Sequence, residues 1–274
     1  MQLKSCTAFL SLLLVPVPAV ATPPTVIEPS SKWVVNYADD MCLLERRFGA
    51  DPNSVQLAFE ANSMGQGATL YMIRGGTSYP SEKTNVRVFA DGAEVANVPA
   101  FTYAVTSKHL MLTNLTLDRI QLSKLGAASQ IAISPNRNKF TSLNVPTFAS
   151  ALQALETCRA DLVLGWGMSL TDQARLKSEA KSSFKGISGF SSDDYPDSAL
   201  HDGKEGKARV RLRVEADGKV SECFVMRSSG SEAIDKQTCD VYRTRYHYRP
   251  AVDTDGKPMA SFVVNAVAWR IPED

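Results

Sequence analysis

The 274-residue chain is short of histidine, with three, and short of net charge, with 30 Lys and Arg against 29 Asp and Glu. It has no long apolar run after its first two dozen residues. A net charge of +1 with no basic stripe and no acidic tail excludes nucleic acid as an expected partner. Gly-x-Gly-x-x-Gly, P-loop and His-Glu-x-x-His patterns are absent, which leaves no cofactor to expect. No two cysteines form a Cys-x-x-Cys pair and the histidines are scattered, so no metal site is expected either. Hydrophobic content of 44% is that of a globular protein, which argues against a long disordered spacer.

The residues that are present speak first at the amino terminus. Lys4 precedes an apolar run, Thr7 to Val20, broken by Pro16 and Pro18. Ala19-Val20-Ala21 then sets small residues at the two positions a signal peptidase reads. Residues 1–21 are expected to be a signal peptide, cut after Ala21. The run falls short of the ~20 apolar residues that span a bilayer. Export without stable membrane insertion is therefore the expectation, and a leader retained in the membrane is the alternative. Four cysteines remain after cleavage, Cys42, Cys158, Cys223 and Cys239. An even number in an exported chain reads as disulfides, with three possible pairings. Cys42–Cys158 with Cys223–Cys239 is favoured, because each pair then stays inside one expected domain.

Residues 32–168 read as a β-rich domain. "WVVNY", "CLLERRF", "SVQLAFEA", "ATLYMIRG", "VRVFADG" and "TYAVTSKHLMLTNL" are rich in β-branched and aromatic residues, and most alternate apolar with polar. "LTLDRIQLSKLG" predicts a short helix closed by Gly126, and "QIAIS" and "FTSLNV" return to strand. In "PTFASALQALETCRADLVLGWG" the period changes. Phe148, Leu152, Leu155, Leu162 and Val163 recur at helical spacing, with Cys158 near that face. An antiparallel sandwich or barrel with one closing helix follows. Residues 169–193, rich in Ser, Lys and Gly, read as helix continuation and then linker.

Residues 194–274 form a second unit. "YPDSALHDG" predicts a short helix begun at Pro196. In "GKARVRLRVEADG", Ala208, Val210, Leu212 and Val214 face one way and Lys207, Arg209, Arg211 and Arg213 the other, which predicts a strand with one wet face. Asp217-Gly218 makes a hairpin turn into "KVSECFVMR". Ser229 or Ser231 is expected to cap the following helix, and "MASFVVNAVAWRI" is a long last strand.

Tyr195-Pro196 with Ala199, Gly206 before the strand, "VEADGKV", "RSSGS", "RYHYRPAVDTDGKP" and "SFVVNAVAWRI" together resemble the carboxy-terminal domain of the TonB energy-transducer family, over about residues 194–272. The resemblance implies a small α+β domain, with a two- or three-stranded antiparallel sheet backed by helices. It also implies a periplasmic location and a partner that is a protein or an extended peptide, such as an outer-membrane receptor segment, added to the sheet edge. By the family's arrangement that edge is the last strand: Ser261, Phe262, Val263, Val264, Asn265, Ala266, Val267, Ala268, Trp269, Arg270 and Ile271. The sequence departs from the family pattern in its cleavable leader, its folded first domain and its short linker. It also has "SSDD" before Tyr195-Pro196, where well-studied members carry Gln-Pro. A role in binding, linked to outer-membrane transport, is therefore expected. A membrane-anchored transducer is the alternative, and a periplasmic hydrolase a second one.

Catalysis is not expected. Ser228, Ser229 and Ser231 stand at a helix start, but a triad would need His201 or His247 as base. Asp39-Asp40 and Asp193-Asp194 read as solvated acids in turns, His109 as a surface residue, and Trp166 as a packing anchor.

Overall fold

The computed structural model describes residues 25–65, 67–76, 82–136, 139–184 and 189–271. The expected signal peptide lies outside them. Among the described residues no helix is long and apolar enough to cross a membrane.

The amino-terminal half is built from ten strands: β1 (Val26–Ile27), β2 (Val34–Ala38), β3 (Met41–Phe48), β4 (Val55–Ala61), β5 (Gly67–Gly75), β6 (Glu82–Ala90), β7 (Ala93–Val105), β8 (Leu110–Asp118), β9 (Gln130–Asn136) and β10 (Lys139–Asn144). Each expected strand has its counterpart except one. "TYAVTSKHLMLTNL" is not a single strand but the hairpin β7–β8, turned at Thr106–Lys108 and His109, whose φ is 51°. The strands form one sheet in the order β1-β10-β9-β6-β7-β8-β5-β4-β3-β2. All its neighbours are antiparallel except β1 and β10. Beyond Ile27 the chain turns along the far end of the sheet. There the Gly49 amide donates to the Glu28 carbonyl (2.8 Å) and the Ser30 amide to the Arg47 carbonyl (2.9 Å). The sheet thus curls until its two ends meet through residues 26–30. The expectation of a sandwich or barrel resolves to one curled sheet.

Alternation explains what fills it. Cys42, Leu44 and Phe48 of β3, Leu57 and Phe59 of β4, Leu70 and Met72 of β5, and Ile131 and Ile133 of β9 are all buried in one cluster. The helix α2 (Phe148–Gly165) lies on this cluster with Phe148, Ala151, Leu155 and Cys158, at the 3-and-4 spacing of one helix face. Trp33 stacks on Phe148 at 4.9 Å between centroids, and Phe59 lies 5.0 Å from Phe148. The short helix α1 (Arg119–Gly126) starts with a capping box between Asp118 and Gln121. Gly126 does not end it in a left-handed turn, as a capping glycine would. It is the last helical residue, and a Cβ there would lie 2.8 Å from Cδ1 of Leu152 on α2.

Residues 170–182, expected as helix and linker, fold back onto the carboxy-terminal half. They form α3 (Leu170–Arg175), β11 (Leu176–Ser178) and β12 (Lys181–Ser182). After α4 (Asp197–His201) come β13 (Gly206–Val214), β14 (Val220–Arg227), α5 (Glu232–Arg245), β15 (Tyr248–Arg249), β16 (Ala251–Asp253), β17 (Pro258–Met259) and β18 (Ser261–Trp269). β11 pairs with β16, and β12 with β15. A three-stranded antiparallel sheet has the order β14-β13-β18, with α5 packed against β13 and β14. Its core joins Val210, Leu212, Val214, Ile234, Val241, Tyr242, Tyr248 and Trp269. Both favoured disulfides are present, Cys42–Cys158 between β3 and α2 and Cys223–Cys239 between β14 and α5.

Candidate functional site

The outer strand β18 defines the site. It pairs with β13 along its whole length, from Ser261 opposite Val214 to Trp269 opposite Gly206. Among the described residues its other side has no strand neighbour, and no further backbone hydrogen bond reaches it. A row of main-chain donors and acceptors about 30 Å long is left for a partner to pair with, at ~3.3 Å per residue.

The side chains of the expected binding stretch divide by face. Val263, Asn265, Val267 and Trp269 stand opposite Leu212, Val210, Ala208 and Gly206, on the face turned to α5. The Asn265 amide donates to the Tyr248 hydroxyl (3.0 Å), and Trp269 Nε1 donates to Thr238 Oγ1 on α5 (2.9 Å). These two bonds pin the strand to the helix layer. Phe262, Val264, Ala266 and Ala268 share the other face with the arginines of β13. Phe262 is buried against Trp166, while Ala266 and Ala268 are exposed. Ser261 is buried. Arg270 and Ile271 fall beyond the strand, and the Ile271 amide already donates to Glu205 (2.7 Å). The span that offers an open edge is therefore Phe262–Trp269.

The arginine face of β13 is not wet, as alternation alone predicts. The Arg209 guanidinium reaches Glu60 on β4 (2.6 Å) and approaches Asp40 (3.5 Å), and Arg227 reaches Asp40 (3.0 Å). Arg211 lies against three rings, Trp166, Phe224 and Phe262, at 5.0 to 5.5 Å. Asp40 is only 6% exposed and Asp194 3%, so neither is the solvated acid expected of a turn. A strand of alternating charge looks solvent-facing until a second layer supplies counter-charges and rings. Trp166, by contrast, is the packing anchor it was expected to be.

Two cavities follow one another along the free edge. The first, of about 330 Å³, lies between Phe262–Ala266 and the amino-terminal half, where Asn62, Ser63, Thr69 and Tyr71 line it. The Tyr71 hydroxyl donates to Glu60 (2.9 Å), and burial with the nearby carboxylate raises its pKa above the usual phenol value. Arg159, buried on α2, donates to the Ser63 carbonyl (3.3 Å) and to Gln173 (3.2 Å), which fixes the loop that walls this cleft. The second cavity, of about 710 Å³, lies beside Ala266–Arg270, with Phe190, Tyr195 and Leu200 on its other side. None of these wall residues was legible as part of a site. Glu60 and Tyr71 sit in ordinary alternating strands, and nothing local places them beside β18.

The wall of the second cavity is pinned through Asp194. Burial pushes its carboxyl up, but the Arg245 side chain (2.7 Å), together with the Ser191 amide (2.8 Å) and hydroxyl, outweighs burial and holds it below its ordinary value. A folded-state pKa below the unfolded one contributes stability that is complete above about pH 4 and is lost as pH falls through the folded value. Asp194→Asn is expected to be less stable than the parent at pH 7, with the gap closing below pH 4. Urea unfolding across that range checks it, and a gap unchanged down to pH 2 would contradict the assignment.

The serines before α5 bond to Asp235 and to one another. Ser231 occupies the N-cap position, but its hydroxyl makes no capping bond. Instead Ser228 Oγ and the Ser229 amide both bind the Asp235 carboxylate, and the Ser231 amide donates to Ser229 Oγ (3.2 Å). His201 is exposed beside Asp202, and His247 bridges to Lys219 on the opposite end of the module. Among the described residues, no three His, Cys, Asp or Glu side chains converge as metal ligands would.

The carboxy-terminal half is thus a small α+β module whose outer strand pairs on one side only among the described residues. Residues 192–271 match the family model described as Gram-negative bacterial TonB protein C-terminal, in agreement with the resemblance read from the sequence. This stretch, under a third of the chain, is a TonB-type carboxy-terminal domain. No curated protein matches the chain.

Proposed function

We propose that the chain is a periplasmic binding protein, not an enzyme, and that it takes up an extended segment of another protein by strand addition to β18. The observation that carries this reading is the unpaired backbone edge of β18 on a TonB-type module, with Ala266 and Ala268 exposed along it. Residues 1–21 serve as its export signal. Residues 32–168 form a first domain and 194–274 a second, and the intervening stretch 169–193 adds β11 and β12 to the second. A receptor segment of the outer membrane is the partner class that the family supports. The test is photo-crosslinking in the cell envelope, with p-benzoylphenylalanine in place of Ala266 or Ala268. Lys236, exposed on α5, serves as control. Adducts to one envelope protein from positions 266 and 268, and none from 236, are expected. Equal labelling from all three positions, or none from the edge, would sink the proposal.

A further inference from the structure

We infer that a segment seated on β18 is read by both halves of the chain. Its preferred form carries a large apolar side chain at one end of the paired stretch and small, hydrogen-bonding side chains at the other. This rests on the strand-addition reading and extends it to the kind of segment bound. The two cavities share Ala266 and so succeed one another along the edge. A segment paired with Phe262–Trp269 runs past both. Near Ala268 it meets the larger cavity, where Phe190, Tyr195, Leu200 and Trp269 offer rings and an aliphatic side chain. Ala266 and Ala268 border its mouth, and their small side chains leave the strand edge accessible there. Near Val264 the segment meets the smaller cleft, whose far wall is Asn62, Ser63, Thr69 and Tyr71.

That wall belongs to the amino-terminal half and is held rigid. Tyr71 is bonded to Glu60, Glu60 to Arg209, and the loop at Ser63 to Arg159. The Tyr71 hydroxyl donates to Glu60 and keeps its lone pairs for an incoming donor. The charged side chains lining the cleft are Glu60, Glu179 and Arg209, and Glu60 is paired with Arg209. Hydrogen-bonding side chains of small size suit this end of the segment. Side chains of an added strand alternate between faces every ~3.3 Å, so the two cavities read different positions of the same segment.

The test uses the full chain and a random dodecamer library displayed on phage. A selected peptide is synthesised with a fluorophore, and its affinity is measured by anisotropy. Peptides with an aromatic or branched apolar residue near one end are expected. Their affinity is expected to fall at least tenfold with Leu200→Asp or Ala268→Trp, and about fivefold with Tyr71→Phe or Asn62→Ala. Circular dichroism confirms that each variant is folded, and Asn62→Ala stands in if Tyr71→Phe is not. Peptides that crosslink to benzophenone at Ala266 yet ignore both Tyr71→Phe and Asn62→Ala overturn the part given to the amino-terminal half and leave strand addition standing. Binders that ignore Leu200→Asp overturn the apolar end. A library that yields no binder at the β18 edge overturns both this inference and the reading beneath it.

Discussion

Replacing Cys42 and Cys158 together with alanine lowers the free energy of unfolding by about 5 kcal/mol, the largest stability loss expected of any single cross-link here. The disulfide joins residues 116 apart, β3 at one end and α2 at the other. Reducing the freedom of so long an unfolded loop is worth more than closing a short one, because the entropy grows with the logarithm of loop length. By the same relation the Cys223–Cys239 link, across 16 residues, contributes about 3 kcal/mol. The two losses should appear in different places. Without Cys42–Cys158, α2 is held to the sheet by packing, chiefly Phe148 against Trp33 and Phe59, and by the Arg159 bond to the Ser63 carbonyl. Without Cys223–Cys239, α5 loosens from β14. Guanidinium unfolding of the two double variants, with and without reductant, measures both. Equal losses for the long and the short loop would count against the entropic account.

Gly218→Ala is the second large effect, and it should weaken the carboxy-terminal half by about 3 kcal/mol. Gly218 has φ +86°, a region where an L residue costs about 1–2 kcal/mol. A Cβ there would also lie only 2.0 Å from the Tyr248 carbonyl oxygen. The two backbones touch because the Gly218 carbonyl accepts the Tyr248 amide at 2.8 Å, a bond that must stretch or break, at roughly 1 kcal/mol. The damage spreads from there, since buried Tyr248 holds Asn265 of β18. Gly256→Ala is the control: φ is +79°, but nothing lies within 4 Å of the added methyl, so only the conformational cost remains. Urea midpoints for the two variants separate close approach from backbone angle. Similar midpoints would mean that Tyr248 yields without cost.

Much of the fold was legible because it follows from local period. Strict alternation in "ARVRLRV" marked β13, Asp217-Gly218 marked its turn, and Phe148, Leu155 and Val163 marked the buried face of α2. The disulfides followed from keeping each pair within one expected domain. What escaped was everything that depends on distant partners. Closure of the sheet rests on a two-residue parallel pairing of Val26–Ile27 with β10, too short to show in any pattern. The short strands β11 and β12 exist because β16 and β15 lie beside them, and their own residues read as linker. The candidate site divides in the same way. Its outer strand was legible from the residues that carry the family resemblance. Its walls at Asn62, Tyr71 and Leu200 were not, because strand periodicity tells which face a residue takes but not which neighbour that face meets.

The full-length pairing of β18 with β13 has a mechanical side. A segment lying along β18 and pulled lengthwise would load the β13 pairings side by side, in shear, instead of peeling them one at a time. The tension would pass through the central strand into β14, which Cys223–Cys239 rivets to α5. A module built this way grips hardest against a tug along the strand axis and yields most readily to one across it.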